Sequence, residues 1–125
     1  RFNSQAAIAI LAIASILATV PLREATTPVD ITLDGYPGKR IDWSVPADMD
    51  FSTCDADSEG PGFFSWTGTG AAGLRYQQGP GQVDRLWILD VGGARLVIDA
   101  MSMPGTSDAT IAEMVQIVES IDFQP

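Results

Sequence analysis

One group of residues that could bind a metal ion is an acidic run over residues 48–59. Asp48, Asp50 and Glu59 stand at positions 1, 3 and 12 of this run, with a serine at position 5. Calcium loops place hard oxygen ligands at these positions. Position 6 is Thr53 instead of the glycine that permits the sharp turn, and no flanking helices are predicted. We therefore interpret the run as a solvated acidic loop and keep Asp48, Asp50 and Glu59 as metal candidates.

A glycine-rich stretch over residues 68–73 matches the dinucleotide-binding pattern G-x-G-x-x-G. That chemistry needs a preceding strand and a following long helix whose N–H groups hold the pyrophosphate. Residues 79–81 read Gly-Pro-Gly and leave no room for such a helix. The pattern therefore favours a flexible connection between two strands, and no cofactor is predicted.

Aromatic residues offer a third candidate site, a ligand face that includes Phe63 and Tyr76. An apolar groove with a few polar groups would suit a small ligand, a glycan or a lipid. The alternative is that these residues belong to a core of aromatic strands. Strand alternation assigns Trp87 to the core and leaves Phe63 on the face opposite Phe64 and Trp66.

The residue inventory argues against an enzyme. The chain has no histidine, which excludes a Ser-His-Asp triad and removes the commonest metal ligand. Tyr36 stands three residues before Lys39, so no Ser-x-x-Lys motif is present. A carboxylate-dependent hydrolase remains the catalytic alternative, because sixteen acidic residues are available.

A single cysteine, Cys54, cannot form an internal disulfide or a cysteine-based zinc site. It is either a half-buried free thiol or the partner of a thiol outside this sequence.

Size and charge further restrict the kind of protein this chain can be and the kind of partner it can bind. The chain has 125 residues with 46% hydrophobic side chains, which predicts one globular domain. Its formal net charge of -9 repels phosphate backbones and anionic headgroups. We expect no nucleic acid partner and no membrane contact through a basic patch.

Residues 6–22 contain no charge and form an apolar segment with a proline near its end. Its length is marginal for a membrane span and also fits a signal-peptide core. At helical spacing, Ile10, Ile13 and Leu17 share a face, and small residues including Ala14 and Ala18 lie opposite. That asymmetry favours a helix packed on the domain. We therefore predict an apolar helix over 1–22, a linker over 23–28 and one domain over 29–125, with the membrane alternative open.

Alternation predicts antiparallel strands through most of that domain. Residues 29–33 and 40–45 form a hairpin around a turn over 34–38, and short strands follow near Phe64 and Tyr76. Residues 83–91 and 94–103 form a second hairpin around Gly92-Gly93. Pairing Val91 with Ala94 sets Leu89 opposite Leu96 and Trp87 opposite Ile98, and predicts an Asp90–Arg95 ion pair.

A C-terminal helix follows, with apolar residues recurring at helical spacing from Ile111 to Ile121. Ser107 is the expected N-cap, with Asp108 in the first turn, and a Thr110–Glu113 capping box is the alternative. The element order predicts an α+β fold, an antiparallel sheet with an N-terminal and a C-terminal helix packed on it.

From Leu33 onward the chain resembles a family of uncharacterised exported or membrane-tethered actinobacterial domains. The matching segments are residues 35–39 (GYPGK), Val45, Pro46, Asp50, Cys54, and residues 75–81 (RYQQGPG), 85–90 (RLWILD), 95–98 (RLVI) and 117–121 (IVESI). The layout also resembles the Mog1/PsbP-like fold. The resemblance implies an extracytoplasmic location and a second cysteine upstream that could pair with Cys54. The family's helix before the linker is polar and amphipathic, whereas residues 1–20 here are almost wholly apolar.

The prediction for function is a non-catalytic extracytoplasmic domain that binds a protein or a small ligand. The alternative is a structural or regulatory domain of a membrane-tethered protein, tethered through residues 6–22.

Overall fold

The computed structural model of the chain describes residues 14–15, 18–19, 23–54, 56–57, 60–66 and 75–124. The predicted apolar helix over 1–22 lies largely outside the described residues, and the glycine-rich residues 68–73 lie wholly outside them.

Nine strands and one long helix make up the described part of the chain. They are β1 (Glu24–Ala25), β2 (Val29–Leu33), β3 (Tyr36–Ser44), β4 (Ala56–Asp57), β5 (Gly60–Pro61), β6 (Phe63–Trp66), β7 (Arg75–Gln77), β8 (Val83–Val91), β9 (Ala94–Ser102) and helix α1 (Asp108–Glu119). A single 3-10 turn spans Phe51–Thr53. The α+β class with an antiparallel sheet is confirmed.

Five strands form one open antiparallel sheet. Strand β3 pairs with β8 along one edge, and β8 in turn pairs with β9. Strands β2 and β1 share the remaining edge of β3, β2 along its first half and β1 at its end. The predicted linker over 23–28 thus contains a two-residue strand, whose Ala25 pairs with Trp43.

The first hairpin turns more tightly than the sequence predicted. Asp34 and Gly35 form the whole turn, with φ angles of 46° and 77°, and Leu33 pairs with Tyr36. Asp-Gly with two positive φ angles is the primed turn whose twist matches a hairpin. Pro37 and Gly38, predicted as turn residues, therefore belong to β3.

The second hairpin has the predicted register. Val91 pairs with Ala94, Leu89 with Leu96 and Trp87 with Ile98. The predicted Asp90–Arg95 ion pair does not form within the described residues. The Asp90 carboxylate instead accepts a hydrogen bond of 2.8 Å from the backbone N–H of Gly93, inside the turn.

Both faces of the sheet are buried at β8. On the helix-covered face, Leu33, Trp87, Leu89 and Ala100 form an apolar cluster with Val118 of α1. On the opposite face, the cluster consists of Ile41, Trp43, Leu86 and Ile88 with Ala14. Residues 86–89 are consequently all buried, which explains why β8 reads as a continuous apolar run.

Two N-terminal residues contact the opposite face. Ala14 is fully buried there, and Ala18 packs against the same cluster and donates its backbone N–H to the Ala14 carbonyl at 3.0 Å. These are residues of the predicted small face. The conformation of the remaining residues in 6–22 lies outside the described residues, so the choice between packing and membrane insertion stays a prediction.

No helix within the described ranges is long and apolar enough to cross a membrane.

Helix α1 begins as predicted. The Ser107 hydroxyl accepts a hydrogen bond from the Thr110 backbone N–H at 3.2 Å, and Asp108 lies in the first turn. Ser107 is therefore the N-cap, and the Thr110–Glu113 alternative is wrong. After the helix, the chain returns to the first hairpin, where the Phe123 N–H donates to the Asp34 carboxylate at 2.8 Å.

We predict that Gly38→Ala destabilises the protein. A Cβ atom at Gly38 would overlap the backbone carbonyl oxygen of Ile88 and lie 2.8 Å from Leu89 Cδ2. Overpacking of this kind costs about 1–3 kcal/mol of unfolding free energy, measurable by urea denaturation. Gly92→Asn is the control, because nothing lies within 4 Å of that position and Asn-Gly suits its turn. Equal stability of the two variants would contradict the close approach of β3 and β8.

Candidate functional site

The acidic loop does not form a metal site within the described residues. Asp48 and Asp50 are both exposed, and Glu59 lies outside the described residues. No group of three acidic or cysteine side chains is close enough to hold a metal ion in the part of the chain that the structure describes.

Asp50 has a local structural role. It is the N-cap of the 3-10 turn, where its carboxylate accepts hydrogen bonds from the Ser52 hydroxyl at 2.6 Å and the Ser52 backbone N–H at 2.9 Å. The hydroxyl and then the N–H hold the pKa of Asp50 below its ordinary value.

The glycine-rich residues 68–73 lie between two strands that pair with each other. Strands β6 and β7 are antiparallel, and Trp66 pairs with Arg75. Dinucleotide folds need a helical crossover to a parallel strand. The antiparallel pairing therefore agrees with the interpretation of this stretch as a connection between strands.

The aromatic candidates lie on this same β6–β7 ribbon. Its register aligns Phe64 with Tyr76 and Phe63 with Gln77. Phe63 and Tyr76 are therefore offset by one residue and are not cross-strand partners. Trp87 is in the core at 2% exposure, as predicted. The ligand face at Phe63 and Tyr76 remains a prediction.

Cys54 is a half-buried free thiol in the described structure. Whether a thiol outside this sequence pairs with it remains a prediction.

Three polar side chains are fully or almost fully buried near the start of β8. They are Gln77, Gln82 and Asp84. Gln82 accepts a hydrogen bond from the Gln78 backbone N–H at 2.8 Å and donates to Asp84 Oδ2 at 3.3 Å. These bonds hold the turn that precedes β8, and they provide hydrogen-bond partners for the buried side chains of Gln82 and Asp84.

The strongest candidate for contact with another molecule is a group of polar side chains on the helix-covered face. We call it the arginine strip, and its members are Arg40, Asp42, Arg85 and Ser102. Register places Arg40 opposite Trp87, Asp42 opposite Arg85, and Arg85 opposite Ala100. Along β8 the face thus changes from apolar at Leu89 and Trp87 to charged at Arg85.

Arg40 is held in place from two sides. Its guanidinium lies over the Trp87 ring, 4.8 Å from the ring centroid, and its Nε is 3.2 Å from Asp42 Oδ1. The two charged side chains keep 25% and 34% of their surface exposed. A stacked guanidinium with a carboxylate partner loses little further freedom when it binds another molecule.

Arg85 presents free hydrogen-bond donors next to this pair. Its Nη1 donates to the Ser102 hydroxyl at 3.0 Å, and the side chain is half-buried. The other guanidinium nitrogens of Arg85 have no hydrogen-bond partner among the described residues. A planar fork of N–H donors matches the two oxygens of a carboxylate.

Sequence reasoning did not find the arginine strip. In the sequence, alternation along this strand puts Arg40 and Asp42 on the face opposite Ile41 and Trp43, and so predicts that they point outward. The signal that was available is Arg85, a charged residue on the same strand face as Trp87 and Leu89, which a core strand would not normally carry. Without the β3–β8 register, nothing in the sequence joins the two arginines.

The strip offers no nucleophile with an activating base. Asp42 is engaged by Arg40, and Ser102 accepts a hydrogen bond from a permanently protonated guanidinium.

Comparison with known proteins found no matching family model, no matching curated protein and no matching solved structure.

We predict that Ser52→Ala raises the pKa of Asp50 toward its ordinary value of 3.8, because the larger of the two lowering interactions is lost. A pKa lowered by folding adds stability that is present above pH 3.8 and lost as the pH falls through the folded-state value. An NMR titration of the Asp50 carboxyl group measures the shift. Ser120→Ala is the control, since the Ser120 hydroxyl donates its hydrogen bond to the Ile117 carbonyl, far from Asp50 in the sequence. An unchanged Asp50 titration in Ser52→Ala would contradict the hydrogen bond from the Ser52 hydroxyl.

Proposed function

We propose that this chain is a non-catalytic extracytoplasmic domain that binds a carboxylate-bearing ligand or protein through the arginine strip. The observation that carries the proposal is Arg85, whose guanidinium is half-buried and positioned by Ser102 yet keeps N–H donors for a partner. A preorganised donor group of this kind binds with less loss of side-chain entropy than a mobile surface arginine.

Charge supports an acidic group as the partner's contact point. The chain carries 16 acidic and 7 basic residues, and two of the basic ones, Arg40 and Arg85, are diagonal neighbours on adjacent strands of the strip. Long-range repulsion from the net charge of -9 would discourage polyanions such as nucleic acids. The repulsion is smallest for a single carboxylate on a small ligand or a peptide. In the strip, such a carboxylate would lie near two guanidinium groups.

The location outside the cytoplasm rests on the resemblance to exported or membrane-tethered actinobacterial domains. In that arrangement residues 6–22 either lead into a tether or pack as an N-terminal helix. The burial of Ala14 on the opposite face supports the packed helix. A sheet between an N-terminal and a C-terminal helix would be the Mog1/PsbP-like layout, and we propose it as the finer description of the fold.

A test of the binding proposal compares acidic and neutral forms of the same compounds. Thermal unfolding of the chain is measured with peptides that carry a free or an amidated C-terminus, and with uronic-acid or neutral oligosaccharides. We expect a higher midpoint with an acidic form, corresponding to about 2.7 kcal/mol at a hundredfold excess over its Kd. Arg85→Gln should reduce that shift, because the partner carboxylate loses its charged hydrogen-bond donors.

The matched control is Lys39→Gln. It removes the same charge, but Lys39 projects to the opposite face and pairs with Asp30. It should therefore keep the ligand shift. Equal loss in both variants would indicate a general charge effect and would refute the strip as the site. No shift with any acidic compound would refute the proposal for these ligand classes and favour the structural or regulatory alternative.

A further inference from the structure

Strand β9 forms the outer edge of the described sheet. It pairs with β8 along its full nine residues without a bulge. Leu96 and Val97 are 36% and 37% exposed. Edge strands that avoid pairing carry lysine, proline, a bulge or an inward-pointing charge; β9 has no lysine, proline or bulge, and its one half-buried charge is Asp99.

The β8–β9 turn determines which backbone groups face outward. Val91 and Ala94 close a two-residue turn and therefore form a hydrogen-bonded pair. Hydrogen-bonded and non-hydrogen-bonded pairs alternate along an antiparallel ladder. The N–H and C=O groups of Arg95, Val97 and Asp99 consequently point away from β8, toward the open edge.

The outward-facing residues are self-complementary about Val97. If a second β9 strand pairs antiparallel with Val97 opposite its own copy, Arg95 stands opposite Asp99 and Leu96 opposite Ile98. A centre at Arg95 or Asp99 would set like charges opposite each other. A two-fold axis at Leu96 or Ile98 would leave Arg95 and Asp99 with no opposite charge across the interface. The centre at Val97 therefore satisfies both charges and both apolar side chains at once.

We propose that the partner of the β9 edge is a second copy of this chain, related by a two-fold axis through Val97. The two sheets would then join edge to edge into one continuous antiparallel sheet, an isologous interface. Both carboxylate oxygens of Asp99 are buried in the single chain, and the side chain already has an interaction there, so the contact with Arg95 of the second copy requires the carboxylate to turn toward the edge. This inference is independent of the arginine strip, whose Arg40 and Arg85 lie on strands away from this edge.

The first experiment measures dimerisation by sedimentation equilibrium over a range of protein concentrations. We expect a reversible dimer for the wild type. Arg95→Glu should raise the dissociation constant by at least about tenfold, because it creates two symmetric like-charge pairs. Val97→Lys places two cations on the axis and should abolish the dimer. Both positions are exposed, so both variants should fold, which circular dichroism checks.

The register has its own test, the mixing of two variants. Arg95→Glu and Asp99→Lys should each be weakened as homodimers, but a mixture of the two restores opposite charges at both positions. We expect the mixed dimer to regain the wild-type affinity. If Asp99→Lys fails to fold, cross-linking takes its place. In a Cys54→Ser background, Val97→Cys should form an intermolecular disulfide, since directly opposed Cα atoms lie about 5.5 Å apart.

Ala94→Cys in the same background is the control, because its two copies would be about 20 Å apart in this register. A wild type that stays monomeric at every concentration would overturn the proposal. So would an unaffected dimer in Val97→Lys, or equal cross-linking at positions 94 and 97.

Discussion

The ladder between β3 and β8 is the interaction on which the rest of the structure depends. Seven residue pairs, from Gly38–Leu89 to Ser44–Val83, join these two strands at the centre of the sheet. The same ladder supplies residues to both apolar clusters, Ile41 and Leu86 to one and Trp87 and Leu89 to the other. Because side chains alternate between faces, a slip of β3 by one residue would move Ile41 to the helix-covered face and turn Arg40 and Asp42 toward the opposite, buried face.

The arginine strip follows from how little of the helix-covered face α1 occupies. Val118 is the only buried residue of that helix among those described, and it belongs to the same cluster as Leu33, Leu89 and Ala100. Farther along β8 the face is closed by Arg40, whose guanidinium covers Trp87. An arginine can do this because its planar, weakly hydrated head packs on an aromatic ring while its edge still faces water. The same side chain thus belongs to the core and to the surface that we propose as a binding site.

The sequence predicted the elements well where local patterns decide them. The β8–β9 register followed from Gly92-Gly93 and alternation, and the Ser107 cap followed from side-chain chemistry. The first turn was predicted too long because Pro37 and Gly38 are turn residues by composition. Gly38 is instead needed where β3 approaches the Ile88 carbonyl, a constraint that depends on a strand fifty residues away. The arginine strip was missed for the same reason, since Arg40 and Arg85 become neighbours only through that pairing.

The hydrogen bond between Phe123 and Asp34 has a consequence for the order in which the chain can fold. It joins residues 89 positions apart, and it ties the turn of the first hairpin to the segment after α1. The central ladder likewise connects residues of widely separated parts of the sequence. Such long-range contacts slow folding, because distant segments must meet before their contacts contribute stability. During synthesis, the helix-covered face of the first hairpin must therefore wait for nearly the whole chain before α1 can cover it. Newly made protein would expose Leu33 for that interval, and transiently exposed apolar surface of this kind promotes aggregation.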